Sequence, residues 1–89
     1  MRNSSIRRAI EGLKKHQDGR NTIITILQGL FDLLKNYQCL PCTILCKRVE
    51  YVQSAIRRRG YAYLESSEKV IIEMLIAELE AFVEDTDVS

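Results

Sequence analysis

Asn21–Tyr37 reads NTIITILQGLFDLLKNY, and the reading of this stretch decides the fold. Its β-branched start, Thr22 to Ile26, suits a strand. Its length and the Leu-rich continuation suit a helix instead. Ile23, Ile24, Ile26, Leu27, Leu30, Phe31, Leu33 and Leu34 then cover well over half of the circumference. A helix apolar on so many sides is expected at the centre of its fold, touching every other element. Asn21 is its expected N-cap.

Working outward, the flanking segments carry the same period. Ile6, Ala9, Ile10 and Leu13 step as i, i+3, i+4 and i+7, which predicts an amphipathic helix from about Ser5 to Gln17. Ser4 or Ser5 would cap it, and Asp18-Gly19 would break it. Beyond Tyr37, Pro41 suits the first turn of a third helix, where its missing N–H costs nothing. Leu45, Val49, Val52 and Ile56 form that helix's stripe, and Arg57, Arg58, Arg59 and Gly60 close it. Tyr61 to Glu65 reads as a short extended link. Ser66 or Ser67 starts a fourth helix with Glu68 in its first turn. Val70, Ile71, Met74, Leu75, Leu79, Phe82 and Val83 are its expected buried face, with Glu73, Glu80 and Glu84 outside. The tail from Asp85 to Ser89 is expected to fray. Four helices with short links predict an all-α, antiparallel four-helix bundle, one domain spanning residues 1–89.

Charge divides this chain sharply. Residues 1–59 carry 12 Lys and Arg against four acids, and residues 60–89 carry one Lys against eight acids. The net charge of +1 therefore hides a polar molecule. Either two surfaces have different tasks, or two halves fold back and complement each other. A nucleic-acid coat would want one sign throughout. Arg57–Arg59 before Gly60-Tyr61-Ala62-Tyr63 looks like the recognition-helix exit of a winged domain, but no second wing strand follows. Phosphate there would also meet Glu65 and Glu68.

The first sixteen residues hold no apolar stretch of signal-peptide length, and no apolar run approaches the ~20 residues that a spanning helix needs. A cytosolic protein is the expectation, and a reducing compartment argues against structural disulfides. Cys39, Cys42 and Cys46 are then small apolar residues packed beneath a helix start. The sharper alternatives are a redox pair or a metal site, but zinc wants four ligands and His16 is the sole histidine. His16 itself reads as a solvated helix-end residue. With Ser4, Ser5, Ser66 and Ser67 in capping positions and no Gly-rich phosphate loop, catalysis has little to stand on. No enzyme activity and no cofactor are expected.

Taken in order, ILQGLFDLLKNYQCLP (26–41), ILCKRVEYVQSAIRRRG (44–60) and YLESSEKVIIEMLIAEL (63–79) resemble the immunity proteins of pediocin-like (class IIa) bacteriocins from Gram-positive lactic bacteria. The likeness lies in a Leu-rich second helix, a Pro before the third, a third helix ending in basic residues and Gly, a link with a Leu, and a polar cap before the fourth. The resemblance implies a cytosolic four-helix bundle that protects a producer from its own toxin. It implies recognition, from the inner side, of a toxin-engaged mannose phosphotransferase permease. It also implies that the C-terminal half selects the toxin, which points to Arg57, Arg58, Arg59, Tyr61 and Tyr63 as contact residues, and to the fourth helix. Peripheral membrane contact, a monomer or weak dimer, and no nucleic acid complete that expectation. The alternative from the residues alone is a small helical regulator that binds a protein or DNA.

Overall fold

The computed structural model describes residues 2–16, 19–37, 40–57 and 62–88. Four helices make up the fold: α1 (Arg2–Lys15), α2 (Arg20–Asn36), α3 (Leu40–Arg57) and α4 (Ser66–Val88). Consecutive helices lie side by side, and α1 also packs on α4, so the four stand at the corners of a square. The expected all-α four-helix bundle is what the chain forms. The radius of gyration, 12.5 Å, matches the ~12 Å of a folded chain of this length.

Each helix gives one stripe to a common core. Ile6, Ile10 and Leu13 come from α1, Ile23, Leu27, Leu30 and Leu34 from α2, and Leu45, Val49, Val52 and Ile56 from α3. Leu64 closes the core at the α3–α4 link. Helix α2 is a corner, not the central helix expected from its girth. It flanks α1 and α3 and meets α4 only across the core, because its extra apolar residues Ile24, Ile26 and Phe31 are half-buried against the two flanking helices.

The starts of the helices also differ from expectation. Helix α1 begins at Arg2, which puts Ser4 and Ser5 inside it; no Gly or Pro precedes them to stop it. Helix α2 has Gly19, not Asn21, at its N-cap, with extended backbone and no side-chain cap. An antiparallel bridge to Tyr63 takes the cap's place. The Arg20 N–H donates to Ala62 O at 3.0 Å, which satisfies one of the helix's orphan donors. At the other end α4 runs to Val88, beyond the point where fraying was expected. No Gly or Pro interrupts it there.

The buried face of α4 is the largest correction. Ile72, Leu75, Ile76, Leu79 and Val83 point inward, while Val70 and Met74 are exposed. The apolar residues of α4 surround it, so periodicity alone leaves its rotation open. Glu68 fixes that rotation. Its side chain is buried, and Ile72, Ile76, Leu79 and Val83 follow it on the same face at helical spacing.

Candidate functional site

One end of the bundle gathers the start of α2, the end of α3, the link 62–65 and the start of α4. At its centre lies a buried ion pair. Arg20 and Glu68 side chains are only 4% and 5% exposed. The guanidinium engages both carboxylate oxygens, Nη1 donating to Oε2 and Nη2 donating to Oε1 at 2.8 Å. This fork geometry is the strong form of the interaction. Nη1 also donates to Ile56 O at 2.7 Å, and Nη2 to Tyr63 O at 3.1 Å. The Ile56 carbonyl belongs to the last turn of α3, where a cation meets the negative end of the helix dipole. Glu68 Oε1 in turn accepts the Glu65 N–H at 2.9 Å. A Glu at the third position of a helix, reaching back to the residue before it, is half of a capping box. The Glu68 hydrogen bonds raise the Arg20 pKa above its ordinary value against the opposing effect of burial.

Four separate pieces of chain are thus tied to one charge pair. The link's backbone is held from below, and its side chains divide. Leu64 turns into the core, whereas Tyr63 is 72% exposed. Arg57, the last residue of α3, is exposed beside this end. The structure therefore places Arg57 and Tyr63 together at one end of the bundle with open side chains. Arg58, Arg59 and Tyr61 lie outside the described residues.

Among the described residues no group of three His, Cys, Asp or Glu side chains is placed to hold an ion. Cys42 is buried and disulfide-bonded, where a thiol packed beneath the helix start was expected. Geometry permits such a bond wherever two sulfurs come within reach, and the redox poise of the surroundings sets whether it persists. Cys46 keeps a free thiol, donating weakly to Phe31 O at 3.8 Å. Burial, and after it Glu50, pushes its pKa up, so it is a packing residue and not a reactive thiolate. Cys39 lies outside the described residues. His16 is exposed at the end of α1, as expected.

The charge division resolves in the fold. Ion pairs join basic residues of the N-terminal part to α4: Arg20 to Glu68, Lys14 to Glu80 and Arg48 to Glu78. The two halves complement each other. The sequence reading did not single out Arg20, and treated Glu68 as a first-turn acid and a charge that would repel phosphate. Gln53 was missed as well. It is buried in α3 and donates from Nε2 to Ile24 O at 3.3 Å and Gln28 Oε1 at 3.1 Å, which fixes α3 against α2. No helix among the described residues is long and apolar enough to cross a membrane. Comparison of the chain with protein-family models, curated proteins and solved structures gave no match.

Proposed function

We propose that this chain is an immunity-type binding protein, which protects a bacteriocin-producing cell by docking stoichiometrically, from the cytosolic side, on a toxin-engaged membrane permease of the mannose phosphotransferase kind. The order of motifs along residues 26–79 supports the reading. The observation that carries it is the pinned end of the bundle. An exposed aromatic, Tyr63, stands on a link whose own carbonyl is held by the buried Arg20. Binding that immobilises a loose loop wastes free energy on ordering it, and a link already held avoids that cost. Exposed Tyr and Arg are also the residue types that dominate binding hot spots. Such a protein needs no catalytic group. It needs a rigid body and a shaped, open end.

Expression in a bacteriocin-sensitive strain tests the proposal. Protection against at least one member of a panel of pediocin-like bacteriocins is the expected result. Tyr63→Ala and Arg57→Glu should weaken it while leaving the helical circular dichroism unchanged. A folded, well-expressed protein that protects against none of the panel overturns the reading. Salt-sensitive retardation of DNA by the same protein would favour the regulator alternative.

A further inference from the structure

Six large apolar side chains are exposed among the described residues, and five of them lie on α3 and α4: Leu40, Ile44, Tyr51, Val70 and Met74. Their spacing is regular. Leu40, Ile44 and Tyr51 step by four and seven along α3, and Val70 and Met74 by four along α4, so each set keeps to one face of its helix. A groove between the two helices joins the sets. Tyr51 and Met74 both line it, with Arg48 and Glu78. The Arg48 Nε to Glu78 Oε2 ion pair crosses it at 3.5 Å. An apolar strip of this kind on a small helical protein marks a contact surface.

We infer that this α3–α4 face is where a second copy of the chain docks, with α3 of each copy lying on α4 of the other. The occupant follows from charge. The α3 side of the groove contributes Arg48 with Lys47 beside it, and the α4 side contributes Glu78. A two-fold axis running along the bundle lays α3 over the second copy's α4. Each Arg48 then meets the other copy's Glu78 as well as its own, in a ring of four alternating charges. The side chains of Ile44 and Tyr51 meet Met74 and the small residues Ala77 and Ala81 of the second copy. A two-fold axis across the helices would set Arg48 and Lys47 against their own counterparts, and like charges disfavour it.

Size agrees with this choice. The bundle measures 40 × 20 × 18 Å, so one long side projects about 800 Å², which is the area each partner gives to an interface of standard size. An anionic lipid surface suits the face less well, because Glu78 stands in the middle of it. The inference is independent of the immunity reading, since Tyr63 and the pinned end stand apart from this face.

Sedimentation equilibrium of the full chain, from micromolar to roughly 1 mM, tests it. The expected result is a monomer–dimer equilibrium that Tyr51→Glu weakens by at least about tenfold. Arg48→Glu and Glu78→Arg should each weaken it by roughly tenfold, and the two together should restore it to within about threefold, because the swap rebuilds the ring. Both swapped side chains sit at the surface, and circular dichroism checks folding. Should Tyr51→Glu fail to fold, the charge swap alone decides. A monomer throughout the range overturns the inference, and so does a dimer indifferent to Tyr51→Glu and to both single swaps. Flotation of monomeric protein with anionic phosphatidylglycerol vesicles, abolished by Tyr51→Glu, would assign the face to lipid and equally overturn it.

Discussion

Two ion pairs join α3 or α2 to α4, and they differ in almost everything except chemistry. The Arg20–Glu68 side chains are 4% and 5% exposed, and the Arg48–Glu78 side chains 59% and 36%. The first pair is forked and carries further bonds to Ile56 O, Tyr63 O and Glu65 N. The second is a single contact across an open groove. Burial is the difference that matters. Removing two charges from water is costly, and only a fully bonded geometry offsets it. Once made, such a pair cannot lose one member without leaving the other stranded. An exposed pair can lose either and let water take its place, at a cost of about 0–1 kcal/mol. One pair therefore decides how the chain folds, and the other is free to serve a surface.

The sharpest way to break this comparison is to truncate α4 at each pair in turn. Glu68→Ala should cost about 3–5 kcal/mol, because it strands a buried guanidinium. At about 4–8 °C per kcal/mol for a chain of this size, the melting temperature should fall by more than about 12 °C. Against a total stability of order 5–10 kcal/mol, that approaches unfolding. Glu78→Ala should stay within about 1 kcal/mol. Replacing both buried partners, Arg20→Met with Glu68→Leu, should recover most of the loss, since apolar residues of similar volume satisfy a dry site. Urea denaturation of the three variants beside the wild type decides the matter. Equal losses for Glu68→Ala and Glu78→Ala would end the distinction.

A second test asks whether Glu68 sets the rotation of α4. Ile72→Ala should cost about 2–5 kcal/mol, as for other buried aliphatic truncations. Met74→Ala, two residues further on, should change the stability of the monomer by no more than about 0.5 kcal/mol. The opposite ranking would return α4 to the rotation that its apolar content suggested at first.

That ranking bears on what the sequence makes legible. The four helices are readable because a 3.6-residue period recurs in each segment and the stripes of α1 and α3 are narrow. Ile6, Ile10, Leu13, Leu45, Val49, Val52 and Ile56 were named from spacing and are buried. Helix α4 resists the same reading because Val70, Ile71, Ile72, Met74, Leu75 and Ile76 point in every direction. The signal that settles it was present but carried by charged residues. Arg20 stands in step with Ile23, Leu27, Leu30 and Leu34, at intervals of three, four, three and four. Glu68 stands in step with Ile72, Ile76, Leu79 and Val83. Opposite charges, each at the head of an apolar stripe, are what a buried pair looks like before folding. A reading that sorts charged residues to the outside passes over both. Of the candidate site, Tyr63 and Arg57 were legible as an aromatic and a cation beside a turn. That Arg20 supports them from beneath was not, because the two lie 43 residues apart along the chain. The Cys42 disulfide was legible only as the redox-pair alternative for Cys39, Cys42 and Cys46, since spacing says nothing of oxidation.

A smaller effect of opposite sign is expected where neither pair acts. Gly29 lies within α2, exposed, and a methyl group there would meet no atom within 4 Å. Gly29→Ala should stabilise the chain by about 0.5–1 kcal/mol through helix propensity and the stiffer unfolded chain. Thermal denaturation reads this as a rise of a few degrees. Gly12 offers a control, since its added methyl group would come within 2.9 Å of Ile26 Cδ1 and the gain should shrink or vanish.

The smallest expected effect belongs to Lys14–Glu80, which is as exposed as the Arg48 pair but shorter, 2.9 Å. The hydrogen bond and charge of Glu80 raise the Lys14 pKa above its ordinary value of 10.5. A base held by its partner favours the folded state while it is charged in both states. Its contribution is therefore complete below pH 10.5, and it is lost as the pH rises through the higher folded value. Comparing wild type with Lys14→Met should give a small difference that is flat across the neutral range and disappears only in strong alkali. Salt should erase it much sooner, because at about 1 M the screening length falls to about 3 Å. The buried Arg20–Glu68 pair, out of reach of the ions, should keep its effect in the same salt. If high salt weakened both pairs alike, burial would not be what separates them.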